Sequence, residues 1–276
     1  MIKIHKVSAF AVQKNGGNPA GVVFDADNLT EQQMKKIAAE VGYSETAFVS
    51  QSQLADFKVR FFTPTSEVDL CGHATIAVFN LLRDLKKINT NEIYTQQTKA
   101  GILQIKIKEK EVLMEQTKPK YLDIIRPSDM RGCFHNLDYL ENMPIQIMST
   151  GLADLILPVK SLKTLYNLKP NFDKIKELSK KLNIVGIHAF TLESLHNSNA
   201  HARNFAPLYG INEEAATGTS NGALACYLQK YYSPSLKSYV MEQGYTMDRP
   251  SEIKVKLKTG NNNHFKVYVG GGIKRI

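Results

Sequence analysis

Two short segments of this sequence combine a carboxylate, an imidazole and a helix-starting turn, the groups that proton transfer requires. Glu45 begins an otherwise apolar stretch over residues 46–49, and His73 follows Gly72 at the start of an apolar helix. A partly buried carboxylate at a strand end can act as a general acid or base. A neutral imidazole at a helix N-terminus can both donate and accept hydrogen bonds. Glu45 and His73 are therefore candidate catalytic residues; the structural alternatives are a solvated glutamate at a strand end and a histidine that packs at a helix start.

Cys71, directly before this turn, leaves a second kind of chemistry open. A helix N-terminus favours the thiolate, so Cys71 could act as a nucleophile or a base. Most cysteines in such positions are buried and inert. Glu213 and Glu214 precede a second turn at Thr217-Gly218. One of these two carboxylates could orient His73 or a substrate amine, or both could form an exposed acidic pair near a helix start.

The order of elements occurs twice along the chain. Residues 60–64 (Arg-Phe-Phe-Thr-Pro) have a counterpart at 203–207 (Arg-Asn-Phe-Ala-Pro), and each is followed by a small-residue turn and an apolar helix, 74–82 and 222–228. A period this long predicts a duplicated lobe and excludes a solenoid. We expect an α/β (α+β) fold of two similar lobes. In each lobe, a mixed and largely antiparallel sheet should wrap around one central buried helix.

The duplication sets the expected domains and the expected anion site. The N-terminal lobe should comprise residues 1–117 completed by 266–276, and the C-terminal lobe residues 118–265. The first turn of a helix carries unpaired N–H groups and a partial positive charge. Two such turns facing each other across a cleft between the lobes would bind a small carboxylate from both sides.

Composition and motifs exclude several other classes of protein. The net charge of +9 comes partly from lysines that alternate with apolar residues, as over 253–258, which is typical of solvated strand faces. No nucleic-acid motif, apolar membrane span, dinucleotide fingerprint or P-loop is present. The three scattered cysteines indicate a reducing cytoplasm. No His, Glu and Cys set shows metal-ligand spacing, so we expect neither a metal nor an organic cofactor.

Five motifs spread along the chain resemble one known family. They are 17–21 (Gly-Asn-Pro-Ala-Gly), 44–48 (Ser-Glu-Thr-Ala-Phe), 60–64 (Arg-Phe-Phe-Thr-Pro), 69–75 (Asp-Leu-Cys-Gly-His-Ala-Thr) and 214–219 (Glu-Ala-Ala-Thr-Gly-Thr). Together they resemble the PhzF-like phenazine-biosynthesis isomerases, within the fold superfamily of diaminopimelate epimerase. The resemblance extends over essentially the whole chain.

This resemblance implies a cofactor-independent isomerase that is a homodimer. Its general acid/base falls on Glu45, and its further catalytic residues on His73 and Glu214. The residues that the resemblance places against the substrate are Asn18, Gly72, Ala74, Thr217, Gly218 and Thr219. Glu214 stands where the family usually has aspartate, Ala215 replaces a proline and Thr219 replaces a serine. Because these changes lie at the substrate, the expected substrate is a small carboxylate that need not be a phenazine precursor.

Two alternatives remain open from the sequence. In a two-base epimerase, Cys71 and a residue of the second lobe would exchange the α-proton of an amino acid. The corresponding second-lobe position is Thr217, which is no base at ordinary pH, so a single carboxylate suits Glu45 better. The other alternative is a non-catalytic protein that binds a small carboxylate without transforming it.

Overall fold

The computed structural model describes residues 2–259 and 265–276. Its strands, in chain order, are β1 Ile4–Ala9, β2 Asn18–Val23, β3 Glu45–Ser50, β4 Phe57–Phe62, β5 Glu67–Val68, β6 Ile93–Thr98, β7 Gly101–Ile107, β8 Val112–Glu115, β9 Lys120–Ile124, β10 Phe134–His135, β11 Gln146–Ser149, β12 Ala153–Pro158, β13 Lys169–Pro170, β14 Ile187–Thr191, β15 Ala200–Ala206, β16 Ile211–Glu214, β17 Ser238–Gln243, β18 Ser251–Thr259, β19 Phe265–Gly271 and β20 Ile273–Arg275. The α-helices are α1 Glu31–Val41, α2 Gly72–Asp84, α3 Leu162–Asn167, α4 Phe172–Leu182 and α5 Gly218–Tyr231.

The chain divides into two compact units. Unit 1 comprises Met1–Glu115 and Gly270–Ile276, and unit 2 comprises Gln116–Val269. The C-terminal segment belongs to unit 1 because β20 pairs antiparallel with β1, and the N–H of Phe10 donates to the carbonyl of Gly272 at 2.9 Å.

Unit 1 is built on a mixed sheet. β1 and β2 are antiparallel, β2 and β3 are parallel, β3 and β4 are antiparallel, and β4 and β6 are parallel. The sequence indicates a strand only from Gly21, whereas β2 begins at Asn18. The first two residues of β2 pair with Ala9 and Ser8, because proline at position 19 is compatible with extended backbone. This pairing places Asn18 inside the sheet.

The crossover from β2 to β3 is helix α1, and residues near its ends define where it begins and ends. Thr30 and Gln33 form a capping box, in which each side chain accepts a hydrogen bond from the other's backbone N–H. Gly42 ends the helix with φ of 72° and donates its N–H to the carbonyl of Ala38. These caps fix the point at which the chain turns into β3 and reaches Glu45.

Helix α2 is the central helix of unit 1. Ten of its 13 residues are buried, as expected for a helix that is apolar nearly all round. It contacts β1, β2, β3 and β8, so its first turn has a fixed place beside the start of β3. Predicting this helix from its composition was therefore correct.

Unit 2 repeats the strand order of unit 1. β11 and β12 are antiparallel, β12 and β14 parallel, β14 and β15 antiparallel, and β15 and β17 parallel. Helix α4 lies between β12 and β14 along the chain, and the buried helix α5 follows β16. The predicted fold class, with two similar lobes each built on a mixed sheet and a buried helix, is confirmed.

An ion pair repeats along with the strands. Arg60 on β4 donates from Nε and Nη2 to the two carboxylate oxygens of Glu67, at 2.7 and 2.8 Å. Arg203 on β15 makes the same bidentate pair with Glu213, at 2.8 Å for both contacts. Bidentate pairs of this kind fix geometry as well as charge. In unit 1 the pair therefore connects β4 to the segment that leads into α2, and in unit 2 it connects β15 to the segment that leads into α5.

Among the residues that the structure describes, no helix is both long and apolar enough to cross a membrane.

Candidate functional site

The candidate site begins with the carboxylate of Glu45, at the start of β3. Glu45 is the first residue of β3 and lies opposite Ala20 of β2 in the parallel pair. Its side chain is 18% exposed, and its Oε2 atom is buried without a hydrogen-bond partner among the described residues. A buried carboxylate oxygen without a hydrogen bond is costly, and it marks a position kept for a reason other than stability.

The first turn of helix α2 places His73 beside the Glu45 carboxylate. Gly72 is the first helical residue and Cys71 is its N-cap, with extended backbone and no side-chain hydrogen bond that caps the helix. The partial positive charge of the first turn therefore faces the site without a protein carboxylate as its cap. His73 Nε2 lies 3.4 Å from Glu45 Oε2, and the His73 side chain is only 6% exposed.

The other imidazole nitrogen contacts Asn18 and Cys71. His73 Nδ1 is 3.4 Å from Asn18 Nδ2 and 3.3 Å from Cys71 Sγ. When the amide nitrogen of Asn18 donates to Nδ1, the imidazole is neutral and Nδ1 is its acceptor. In that tautomer Nε2 carries the proton and directs it towards Glu45. Asn18, Glu45 and His73 thus form one cluster, as the sequence predicts for its catalytic pair.

Glu45, Cys71 and His73 also form a group that the spacing argument overlooked. One ligand atom from each lies within 4.8 Å of the other two. Only Cys71 and His73 are near in sequence, whereas Glu45 reaches them through the pairing of β2 with β3. Ligand spacing read along the chain cannot detect a set whose third member comes from another strand.

The second group of predicted site residues lies at the start of α5 in unit 2. Thr217 is the N-cap of α5 and donates from Oγ1 to Glu214 Oε2 at 2.9 Å. Glu213 points elsewhere, to Arg203 and to the hydroxyl of Thr246. Of the two neighbouring carboxylates, it is therefore Glu214 that accompanies the helix start.

Gln243 forms hydrogen bonds with the residues at this helix start. The sequence motifs did not identify it as a site residue. Its Oε1 accepts from the N–H of Thr217 at 3.1 Å, and its Nε2 donates to the carbonyl of Glu214 at 2.7 Å and to Thr217 Oγ1 at 3.1 Å. The residue is fully buried at the end of β17. A glutamine at the end of an apolar strand, before Gly244, was the available signal, because a buried amide needs several partners.

The remaining predicted binding residues occupy the first turns of α2 and α5. Gly218 and Thr219 are the first two residues of α5, and the carbonyl of Thr219 accepts from Thr150 Oγ1 at 2.9 Å. Ala74 is the third residue of α2 and is fully buried.

A buried polar network continues from the start of α5 into unit 2. Asn221 Nδ2 donates to Gln243 Oε1 at 2.7 Å, and Asn221 Oδ1 contacts His188 Nε2 at 3.4 Å. Asn204 Nδ2 bridges His188 Nδ1 and Ser220 Oγ, at 3.2 and 3.3 Å. Ser220 in turn donates to the fully buried carboxyl of Asp154. Burial lowers the pKa of His188 to about 4, so this imidazole is neutral near pH 7.

Asp154 gives this network a pH dependence that can be measured. Burial raises the pKa of Asp154 from its ordinary 3.8 to about 6 in the folded state. The folded state therefore binds the proton more tightly than the unfolded state, and stability falls as pH rises through this window. Above pH 6 the ionised carboxylate costs about 3 kcal/mol.

We expect Asp154→Asn to remove this cost. The free energy of unfolding of the variant minus that of the wild type should increase by up to about 3 kcal/mol between pH 4 and pH 7. Urea titrations at a series of pH values would measure it. The control is Asp123→Asn, at an exposed carboxylate, whose difference from the wild type should stay nearly constant. A difference independent of pH for Asp154→Asn would contradict the assignment.

Comparison with known proteins places the chain in a family. Residues 7–273 match the family described as phenazine biosynthesis-like protein, PhzC-PhzF. The chain belongs to this family. An uncharacterised isomerase of Clostridium acetobutylicum is 38% identical over 284 residues, covering 97% of this chain and 94% of that protein. A crystal structure of a PhzF-family phenazine biosynthesis protein from Bacillus anthracis is 32% identical, with a TM-score of 0.91, over 100% of this chain and 97% of the other.

A more distant likeness extends only to the fold. A hydroxyproline epimerase from Agrobacterium vitis has a TM-score of 0.60 at 13% identity, over 100% of this chain and 90% of the epimerase. Membership in the PhzF family, together with relatives that carry isomerase names, identifies the protein as an isomerase. The resemblance found from the five sequence motifs is thereby confirmed.

Proposed function

We propose that this PhzF-family protein moves a proton on a small carboxylate-bearing substrate with Glu45 as its single acid–base group, without a metal or organic cofactor. One observation carries the proposal. Glu45 Oε2 is buried and lacks a hydrogen-bond partner among the described residues, and it lies 3.4 Å from His73 Nε2. A carboxylate oxygen with a free lone pair can accept a carbon-bound proton and return it.

His73 and Asn18 would orient this carboxylate and support the charge that develops on the substrate. With Nδ1 accepting from Asn18, the Nε2–H is available to an oxygen of the substrate or to Glu45. A donor placed in advance at the site of developing negative charge lowers the barrier, because it needs no rearrangement during the reaction. His73 therefore acts as a donor to the substrate in this mechanism.

In each unit, the start of the buried helix offers backbone N–H groups to the anionic part of a substrate. The first turn of α2 at Gly72 presents backbone N–H groups beside His73, and its N-cap has no side-chain cap. The start of α5 at Thr217, Gly218 and Thr219 offers the same kind of anion site. We propose that Glu214, bonded to Thr217, accepts a hydrogen bond from a polar group of the substrate.

The two helix starts also favour one base over two. Cys71 is the N-cap of α2, and Thr217 is the N-cap of α5. A threonine hydroxyl does not serve as a base near neutral pH, so a two-thiol epimerase lacks its second group. Two alternatives remain at this site: an epimerase that uses Cys71 alone, and a protein that binds a small carboxylate without transforming it.

Deuterium exchange distinguishes these mechanisms. Incubation of the protein in D₂O with a panel of cyclic and α-amino carboxylates, followed by NMR, should reveal a substrate whose carbon-bound proton exchanges. We expect Cys71→Ser to retain this exchange within about tenfold, because Glu45 carries the proton. Exchange lost in Cys71→Ser but kept in Glu45→Gln would establish the thiol mechanism. Measurable binding with no exchange for every ligand would instead indicate a binding protein.

The family resemblance leads us to propose further a homodimer located in the cytoplasm. All three cysteines are buried and none forms a disulfide, which suits a reducing compartment. Light scattering coupled to size-exclusion chromatography should give twice the chain mass of 30.9 kDa. A single-chain mass at micromolar concentration would contradict the dimer.

A further inference from the structure

We propose that Cys71, His73 and Glu45 form a binding site for a thiophilic divalent cation of the zinc class. The site is built of three different ligand types, a thiol, an imidazole and a carboxylate, whose atoms lie within 4.8 Å of one another. Cys71 and His73 are buried, and Glu45 adds a buried oxygen without a hydrogen-bond partner among the described residues. That oxygen lies 3.4 Å from His73 Nε2, which is itself a ligand atom of the proposed site.

Two of the three ligand–ligand distances are close to the edges of a tetrahedral zinc site. Bond lengths of about 2.3 Å for Zn–S, 2.0–2.1 Å for Zn–N and 2.0–2.2 Å for Zn–O give tetrahedral edges of about 3.6 Å between sulfur and nitrogen and about 3.4 Å between nitrogen and oxygen. In the structure, Cys71 Sγ is 3.9 Å from His73 Nε2, and His73 Nε2 is 3.4 Å from Glu45 Oε2. The third pair, Cys71 Sγ and the Glu45 carboxylate oxygen, lies within 4.8 Å, against a tetrahedral edge of about 3.6 Å, so binding of the ion would draw these two side chains together by up to about 1.2 Å.

The ligand types decide which ions fit. A thiolate with an imidazole favours zinc and its soft neighbours, whereas magnesium and calcium prefer oxygen ligands throughout. Three protein ligands would leave the fourth position to water or to a substrate oxygen. The imidazole would coordinate through Nε2, and Asn18 could then turn its amide oxygen to accept the Nδ1–H, since Asn18 already contacts Nδ1 at 3.4 Å.

The charges balance when the ion binds. Coordination replaces the proton of the Cys71 thiol, which leaves as H⁺, so the thiolate and the Glu45 carboxylate together carry two negative charges. A divalent cation neutralises both, and a neutral buried cluster avoids the desolvation cost of a lone charge. The helix start at Gly72 supports the thiolate form of Cys71.

Occupation of this site would block proton transfer, a consequence that rests on the function proposed above. The lone pair of Glu45 Oε2 that accepts the substrate proton is the same one that would bind the cation. The isomerase would then be active only with the ion absent. Zinc would act as an inhibitor, because it occupies the oxygen of Glu45 that accepts the substrate proton.

Metal titration without any substrate tests the site by itself. Protein without a polyhistidine tag, stripped of metal, is titrated with Zn²⁺ against a chromophoric chelator, and with Co²⁺ for the absorption of a thiolate–cobalt bond. We expect one equivalent of either ion and a thiolate–cobalt band. Because loss of a supporting group alone costs about 10–100-fold in affinity, Cys71→Ala should weaken zinc binding by about 100-fold or more. Cys133→Ala, which removes another buried thiol, should leave binding unchanged.

The outcomes separate this proposal from the proposed function. Absence of stoichiometric binding, or binding that Cys71→Ala leaves intact, would overturn the metal site whatever the enzyme does. Tight binding without a thiolate–cobalt band would overturn it as well, because the ion would lie elsewhere. Proton exchange that depends on Glu45 but is unaffected by bound zinc would refute the inhibition and leave the proposed function standing.

Discussion

Replacing Glu45 with glutamine is expected to lower kcat/KM for proton exchange by about 10²–10⁴-fold, with little change in the folded structure. Glutamine has nearly the same shape as glutamate but has no basic lone pair of comparable strength and cannot return a proton. Glu45 Oε2 has no hydrogen bond among the described residues and lies 3.4 Å from His73 Nε2, a long contact that the amide oxygen of glutamine can keep. The loss should therefore appear in catalysis and leave stability nearly unchanged.

The measurement is the rate of deuterium incorporation into a substrate identified with the wild-type protein, with kcat and KM determined separately. Thermal unfolding of the variant would check that it is folded. Glu40→Gln is the matched control, since Glu40 is an exposed glutamate on the preceding helix, and it should behave like the wild type. Exchange in Glu45→Gln within tenfold of the wild type would refute Glu45 as the acid–base group.

Gly270→Ala is expected to destabilise the protein by about 3 kcal/mol or more, the upper range for overpacking a buried position. A Cβ atom at this position would lie 1.8 Å from the carbonyl oxygen of Val112 and 2.9 Å from the Cα atom of Leu113. Both neighbours are backbone atoms of unit 1, so the strain cannot be relieved by rotating a side chain. Urea unfolding should show a lower midpoint with an unchanged slope.

Gly272→Ala, two residues along the chain, is the control for this prediction. A Cβ atom there would meet nothing within 4 Å. Reduced freedom of the unfolded chain should make this variant neutral or more stable by up to about 1 kcal/mol. Equal unfolding free energies for the two variants would show that the close approach of Val112 to Gly270 is absent in solution.

Local patterns made much of the fold predictable. Helix α1 could be placed from Thr30, Gln33 and Gly42, because capping and termination depend on residues within one or two turns of the helix ends. Helix α2 followed from an apolar segment, and the duplicated lobe from motifs such as 60–64 and 203–207. Each of these signals depends on residues close together in the sequence or on a motif that occurs twice in the chain, so a single sequence suffices to detect it.

Local sequence patterns could not predict the polar contacts between side chains that are distant along the chain. Asn18 contacts His73 across 55 residues, and Ser220 donates to Asp154 across 66 residues. No local preference encodes contacts of this kind, because they depend on the strand register and on which buried polar groups need partners. Gln243 escaped detection for the same reason.

By itself the sequence determined that Glu45 begins an apolar strand and that small-residue turns start two buried helices, since side-chain periodicity and helix-start signals are local properties. Only the tertiary structure decided that Cys71 joins Glu45 and His73 in one cluster, that Glu214 rather than Glu213 accompanies the start of α5, and that Gly270 must lack a side chain. These properties are set by pairing between strands distant along the chain, which brings together atoms that no spacing along the sequence relates.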